Sequence, residues 1–300
     1  MGTDKSSRIS LAIEFMKSKA RRLDQLLYSI EFEDGDNRLF LEELITYQNS
    51  DGGFGKGIVP GLSSQHSSII ATLSAIHYAE SAYIEEDHPL IEQIMGYFNS
   101  TLNETLFWYP IHHDDLSSPY FRWLQIAQHN PNPSSWPNPN AGVIGYLNKY
   151  SHYVDSYLLD QCNSSLEDYL NQHDKITGNI FCNFMAWKAA LTRIPEFLNP
   201  KIFKHLDQTF PTASTLKYLD DIRIEMMVTE PSSYLNLKYP EIVKYLFLEE
   251  FKSQNKDGGW YPHWSWLQSL EENSSVELAW ASKSTLSMLC YLKYFSLLDV

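Results

Sequence analysis

Apolar side chains recur three and four positions apart along most of the chain, the spacing that gives an α-helix one buried face. Patterns typical of β-strands are scarce, so the sequence predicts an all-α fold. Ser63 and Ser64 are candidate N-caps for the helix that contains His66. The segments with helical spacing are 9–16, 23–30, 39–47, 66–76, 90–98, 141–150, 154–170, 181–194, 202–208, 240–254 and 276–298.

Two breaks between predicted helices share the form Q-N-x-D-G-G-aromatic. Block 1 covers residues 48–54 and block 2 covers residues 254–260. Paired glycines allow backbone conformations that other residues avoid, the Asp side chain can bond the turn, and the aromatic ring can cover a helix end. The Gln amide can reach the loop backbone. These blocks therefore form an internal repeat.

The repeat resembles the Gln-and-Trp repeat of squalene cyclases and the repeats of protein prenyltransferase β-subunits. Residues 51–78 and 257–266 most resemble small bacterial prenyltransferase-like proteins. The resemblance implies an α/α toroid, a barrel of about six helical hairpins, formed as one domain by residues 1–300. It also implies a terpene cyclase or prenyltransferase-like enzyme that binds an apolar isoprenoid in a central aromatic cavity.

The acidic motif of proton-initiated cyclases, Asp-x-Asp-Asp, is absent. Its nearest counterpart has Tyr218 in place of the first acid, followed by Asp220 and Asp221. Asp221 and Glu225 are four residues apart, which places them on one helix face, where they could share a Mg²⁺ ion bound to a diphosphate. The alternative is a solvated acidic helix face.

Tryptophans near the predicted loops are candidates for contact with substrate. Aromatic ring faces suit both an isoprenoid chain and a carbocation, which they attract by roughly 0.5–2 kcal/mol per contact. The alternative is that these rings pack loops against helices. The candidates are Trp108, Trp123, Trp264 and Trp266.

The densest group of metal-capable or acid/base side chains is His112, His113, Asp114 and Asp115. Within it, His113, Asp114 and Asp115 are candidate catalytic residues, together with Asp221. Consecutive residues cannot all point at one ion, so an exposed polar loop is the alternative. Asp160 and Cys162 have the Asp-x-Cys spacing of a prenyltransferase zinc site without a matching third ligand, and no zinc is expected.

The loop from Lys56 to His66 contains glycines that allow a close approach to a ligand. His66 and Ser67 precede a helix whose free N–H groups could bind a diphosphate or a carboxylate. We expect His66, together with His113, Asp114 and Trp264, to form the rim of the cavity. An ordinary capped helix start is the alternative.

Two other classes of function remain open. Helical toroids also serve carbohydrate-active lyases and glycosidases, which need Trp platforms and a carboxylate pair, for which Asp114 or Asp115 with Glu277 are candidates. A non-catalytic binding toroid is consistent with the missing acidic motif.

The formal net charge of −14 repels phosphate backbones, so nucleic acid is not an expected partner. The three cysteines form no CxxC pair, which is typical of free thiols in a reducing compartment. The sequence contains no apolar stretch of the roughly 18 residues that a membrane span needs. With no apolar leader pattern near Met1, we expect a cytoplasmic protein with a small apolar substrate.

Overall fold

The computed structural model describes residues 2–112, 136–173, 180–215, 223–262 and 273–298. Short 3-10 helices lie at Ser151–Tyr153 and Glu196–Leu198. The α-helices are α1 (Gly2–Ser18), α2 (Arg22–Glu33), α3 (Asn37–Ile45), α4 (Ile69–Ser81), α5 (Pro89–Thr101), α6 (Pro137–Lys149), α7 (Ser156–Gln172), α8 (Ile180–Ala190), α9 (Asn199–Thr215), α10 (Ile224–Met227), α11 (Tyr234–Lys238), α12 (Pro240–Lys252) and α13 (Asn273–Tyr294).

The all-α prediction is confirmed for these described ranges, which contain no β-strand and only isolated bridges from Phe54 to Gln48 and Ser68. One boundary was wrong. The helix predicted to follow Ser63 and Ser64 begins at Ile69, and Ser68 is its N-cap, accepting the N–H of Ala71. None of the helices in the described part is long and apolar enough to cross a membrane.

The contacts divide the chain into two compact units. The terminal unit consists of Met1–Glu43 and Ala213–Val300, and the central unit consists of Leu44–Thr212. A single domain over residues 1–300, arranged as a toroid, stays a prediction.

In the central unit, α6 packs most extensively against α8 and also contacts α4 and α7. The close approach depends on Gly145, where a Cβ atom would meet the backbone of Ala189 and Ala190 within 3 Å. Apolar residues of α6, among them Val143, Ile144 and Leu147, are almost fully buried. Their burial contributes much of the stability of this unit.

A polar network centred on Glu80 connects α4 to α6 and to the segment after α8. Its carboxylate accepts hydrogen bonds from Tyr146 (2.9 Å), Lys149 (2.8 Å) and Arg193 (2.9 Å). Burial raises the pKa of Glu80, but the charges of Arg193 and Lys149 and these hydrogen bonds outweigh it and lower the pKa overall. Glu80 is therefore a stabilising anion in the folded state.

In the terminal unit, α13 packs against α1, α2 and α10, and α10 also packs against α12. The rings of Phe247 on α12 and Tyr291 on α13 stack with centroids 4.1 Å apart. These contacts bring the first and last helices of the chain into one apolar core.

The two repeat blocks have the same local structure. The Gln amide donates to the carbonyl of the first glycine, over 3.2 Å in block 1 and 2.9 Å in block 2. The Asp carboxylate accepts the N–H of the second glycine, over 2.9 Å and 3.1 Å. The Asn backbone N–H donates to the carbonyl of that same glycine in both. The roles predicted for Gln and Asp are confirmed.

The first glycine of each block has a positive φ, +85° at Gly52 and +94° at Gly258. A Cβ atom at Gly52 would collide with the Gln93 carbonyl oxygen of α5, and one at Gly258 with the Leu11 carbonyl oxygen of α1. Only glycine fits such a position without strain. The second glycines face aromatic rings four residues further along the same two helices, Tyr97 and Phe15.

The helix beside each block therefore occupies an equivalent position. Block 1 lies against α5, which follows it in the chain after α4. Block 2 lies against α1, although α1 begins the chain and block 2 is followed by α13. Within the terminal unit, α1 therefore takes the position beside block 2 that α5, the second helix after block 1, takes beside block 1.

Candidate functional site

The loop that follows block 1 ends in an exposed histidine. The imidazole of His66 stacks on that of His112, with ring centroids 4.5 Å apart and planes inclined by 25°. His112 directly precedes the predicted catalytic group at residues 113–115. The structure thus brings one predicted binding residue against His112, and residues 113–115 lie outside the described ranges.

Ser67 is buried and its hydroxyl is part of block 1. It donates to Asp51 Oδ1 over 2.8 Å and accepts from the Asn49 amide over 2.9 Å. Because Ser68 caps α4, the start of this helix has the capped geometry that was the alternative to an anion site. The role of Ser67 as a binding residue stays a prediction.

Trp108 is fully buried in the central unit. Its indole N–H donates to the Phe98 carbonyl over 2.8 Å, and its backbone N–H donates to Asn140 Oδ1 over 2.9 Å. Both of its donors are satisfied by protein atoms. The structure therefore places Trp108 in the core, and this geometry favours its interpretation as a packing residue.

Seven predicted site residues lie outside the described ranges, so their positions stay predictions. They are the candidate catalytic residues His113, Asp114, Asp115 and Asp221 and the candidate binding residues Trp123, Trp264 and Trp266.

In the described part of the chain, no group of three or more His, Cys, Asp or Glu side chains is placed to hold a metal ion. Cys162 is buried, and burial raises the pKa of its thiol to about 11. Without a bound metal it is thus a protonated thiol at neutral pH.

A buried ionic cluster in the terminal unit was missed from the sequence. Arg223 Nε donates to Glu225 Oε1 over 2.9 Å, and Arg223 Nη2 lies 2.9 Å from the same oxygen. Arg223 Nη1 lies 2.9 Å from Glu250 Oε1 on α12. The side chains of Arg223 and Glu225 are 2% and 0% exposed, and that of Glu250 is 15% exposed. One guanidinium therefore lies between two carboxyl groups in a nearly dry environment.

The cluster changes the interpretation of Glu225. The interpretation of Glu225 as part of a solvated acidic helix face was wrong, because Glu225 lies on α10 and is completely buried. Burial raises the pKa of Glu225 to about 7, an effect that Arg223 opposes and Glu250 reinforces. Its second oxygen, Oε2, is buried and has no hydrogen-bond partner. A carboxyl group in this environment can hold a proton at neutral pH.

An aromatic cluster in the central unit was also not predicted. Tyr169 stacks between Trp136 and His173, with centroid distances of 4.6 Å and 4.5 Å. Trp187 and His205 meet edge to face at 5.9 Å. The Trp187 indole nitrogen is buried without a hydrogen-bond partner. Burial lowers the pKa of His205, so its ring is neutral at neutral pH.

Neither cluster had a strong sequence signal. Trp187 and His205 lie on predicted helices at ordinary core positions, and nothing in their spacing marks them as neighbours. Arg223 two residues before Glu225 reads as a local surface pair until the long-range contact with Glu250 is known.

Comparison with protein-family models, with curated proteins and with solved structures finds no match for this chain.

Proposed function

We propose that this chain is an α/α toroid of the terpenoid-cyclase and prenyltransferase type that binds an apolar isoprenoid. The repeated block carries the proposal. Its two copies share a glycine of positive φ, the same Gln and Asp hydrogen bonds, and a helix packed at the same position. Stacked helical repeats with a common turn are the basis of closed helical arrays.

The position of α1 supports closure of the array. Because block 2 takes its partner helix from the beginning of the chain, the last repeat unit is completed by the first helix. A closed ring of helical hairpins requires such packing between its first helix and its last repeat.

The proposed ligand follows from the resemblance and from the richness of the chain in aromatic residues, 14% of all positions. Aromatic and aliphatic side chains line most pockets for apolar ligands, with a few polar groups at the rim. His66, stacked on His112 and exposed, is the described member of the proposed rim. Terpene cyclisation or prenyl transfer is the proposed chemistry.

Native mass spectrometry of the protein purified from its own host tests the ligand class. We expect a retained apolar molecule whose mass fits a polyprenyl compound. A retained oligosaccharide would favour the carbohydrate-active alternative and overturn the proposal.

His66→Ala and Asp114→Asn test the placement of the rim. If the rim is correct, each variant should weaken isoprenoid binding by roughly tenfold, about 1.4 kcal/mol, without lowering the melting temperature. Unchanged affinity in both variants would place the site elsewhere.

A further inference from the structure

One face of α13 is partly open to solvent. Opposite it, Ala281, Thr285 and Met288 are completely buried in the terminal unit. The half-exposed residues recur three, four and seven positions apart, so they share one face of the helix. This surface, which we call the α13 face, consists of Val276, Ala279, Trp280, Lys283, Ser287 and Cys290. A small molecule can reach it without unfolding the helix.

Lys283 is the one charged residue of the α13 face. Its Nζ atom lies 5.6 Å from the centroid of the Trp280 ring, one turn closer to the start of the helix. Side chains of helical residues extend in that direction, so the ammonium group lies along the helix surface beside the indole. The α13 face therefore combines one cation with mostly apolar neighbours.

The charges beside Lys283 come from the start of α2. The backbone N–H of Arg21 donates to the hydroxyl of Ser282, the neighbour of Lys283 in the chain, over 2.9 Å. The Arg21 guanidinium donates to both carboxylate oxygens of Asp24, over 2.9 Å and 3.4 Å. Asp24 is fully buried, so its charge is offset by Arg21. With Lys283 included, these three groups have a net charge of +1.

The excess positive charge is costly at this position. Although Lys283 keeps partial access to solvent, burial lowers its pKa to about 8, an effect that Arg21 reinforces and Asp24 opposes. The other charged residues of α13, Glu277 and Lys293, are not among the groups that change the pKa of Lys283. An anion bound beside Lys283 would offset this cost.

We propose that the α13 face binds a monoanionic amphiphile, with its carboxylate paired to Lys283 and its hydrocarbon chain against the apolar side chains of the same face. One carboxylate matches the single excess positive charge. A diphosphate would exceed it, and an alcohol would leave it without an anion. The site does not depend on the proposed function, because an isoprenoid acid and an unbranched fatty acid share this chemistry.

Calorimetric titration of matched acids and alcohols tests the role of charge. The wild-type protein should bind decanoate more tightly than decanol, or geranate more tightly than geraniol, by roughly tenfold. Tighter binding of geranate would identify the amphiphile as an isoprenoid acid, and tighter binding of decanoate would identify it as a fatty acid. Equal binding of acid and alcohol in both pairs would overturn the proposal.

Substitutions of Lys283 test the location of the charge. Lys283→Met keeps an unbranched chain without the ammonium group, so it should bind acid and alcohol equally. Lys283→Arg should keep the preference for the acid. Lys252→Met is the matched control, because the Lys252 side chain is 67% exposed and pairs with Glu249 on its own helix. A preference for the acid that survives in Lys283→Met would contradict the assignment.

Trace acetylation of the wild-type protein tests the site without any substitution. The half-exposed amine of Lys283 should react with dilute acetic anhydride, and mass spectrometry of the peptides measures the extent. A saturating concentration of the tighter acid should slow acetylation of Lys283 by at least roughly fivefold and leave that of Lys252 unchanged. Unchanged acetylation of Lys283 in the presence of bound acid would place the ligand elsewhere.

The outcomes separate this proposal from the isoprenoid proposal. Binding of geraniol without tighter binding of either acid overturns the role of Lys283 and leaves the isoprenoid proposal standing. Tighter binding of geranyl diphosphate than of geranate has the same meaning, because a single carboxylate would then not be the preferred anion. Tight binding of decanoate without binding of geranate supports the α13 face and counts against an isoprenoid ligand.

Discussion

The backbone N–H of Trp260 donates a hydrogen bond to the hydroxyl of Thr285 over 3.0 Å. The aromatic residue of block 1, Phe54, makes the same bond to Thr72 over the same distance. In both blocks the aromatic ring is fully buried, and the threonine lies on the next described helix of the chain. The threonine thus fixes each repeat turn to the helix that follows it.

We expect Thr285→Val to lower the free energy of unfolding by about 1–3 kcal/mol, because the Trp260 N–H would stay buried without an acceptor. Chemical denaturation measures the loss. Thr285→Ser keeps the hydroxyl and is the matched control, with a smaller effect. Equal effects of the two substitutions would mean that the hydroxyl contributes little.

A glycine can be required by its backbone conformation or by close packing, and Gly52 and Gly57 allow the two requirements to be measured separately. Both have a positive φ, near +85°, but a Cβ atom at Gly57 would meet nothing within 4 Å, whereas one at Gly52 would collide with α5. Gly57→Ala should therefore cost only the conformational penalty of about 1–2 kcal/mol. Gly52→Ala should cost clearly more in the same denaturation experiment, and similar costs would argue against tight packing of block 1 on α5.

Glu80→Gln should destabilise the protein by about 2 kcal/mol at neutral pH through loss of charge-assisted hydrogen bonds. The pKa of Glu80 is lowered in the folded state, so its contribution is present above the ordinary value of 4.5 and is lost as the pH falls through the lowered pKa. The variant should therefore lose less stability than the wild type during acid titration.

The control for that experiment is Glu86→Gln. Glu86 is 62% exposed and lies 3.4 Å from Lys149, so its ion pair should contribute less than about 0.5 kcal/mol. A loss at Glu86 as large as that at Glu80 would show that the network has been assigned to the wrong acid.

His205 should make stability depend on pH in the neutral range. Burial lowers its pKa, so the unfolded chain binds a proton more readily than the folded protein. The free energy of unfolding should then fall as the pH drops below the ordinary value of 6.5. His205→Gln should reduce this slope in urea titrations at a series of pH values, and an unchanged slope would contradict the buried, neutral ring.

The local structure of the repeat was predictable, whereas its long-range contacts were not. The positions of Gln, Asp and Gly within seven residues are enough to predict a turn with side-chain bonds to its own backbone. The threonine acceptors lie 18 and 25 residues further along the chain, and no local pattern connects them to the blocks.

In the candidate site, too, local structure was predictable from the sequence and long-range contacts were not. Helical spacing predicted the long helices because each has an apolar face of several turns. The four residues of α10 are too few for such a pattern, so the burial of Glu225 could not be predicted. Nor could Ser68 be distinguished from Ser63 and Ser64 as the cap of α4, since all three are good capping residues.

Isothermal titration with a panel of isoprenoids and oligosaccharides tests the central proposal most directly. We predict binding of a polyprenyl compound with a Kd of roughly micromolar, about −8 kcal/mol, and no measurable heat with neutral oligosaccharides. Negative heat capacity changes should accompany binding, because apolar surface becomes buried. Binding of oligosaccharides without binding of any isoprenoid would contradict the account.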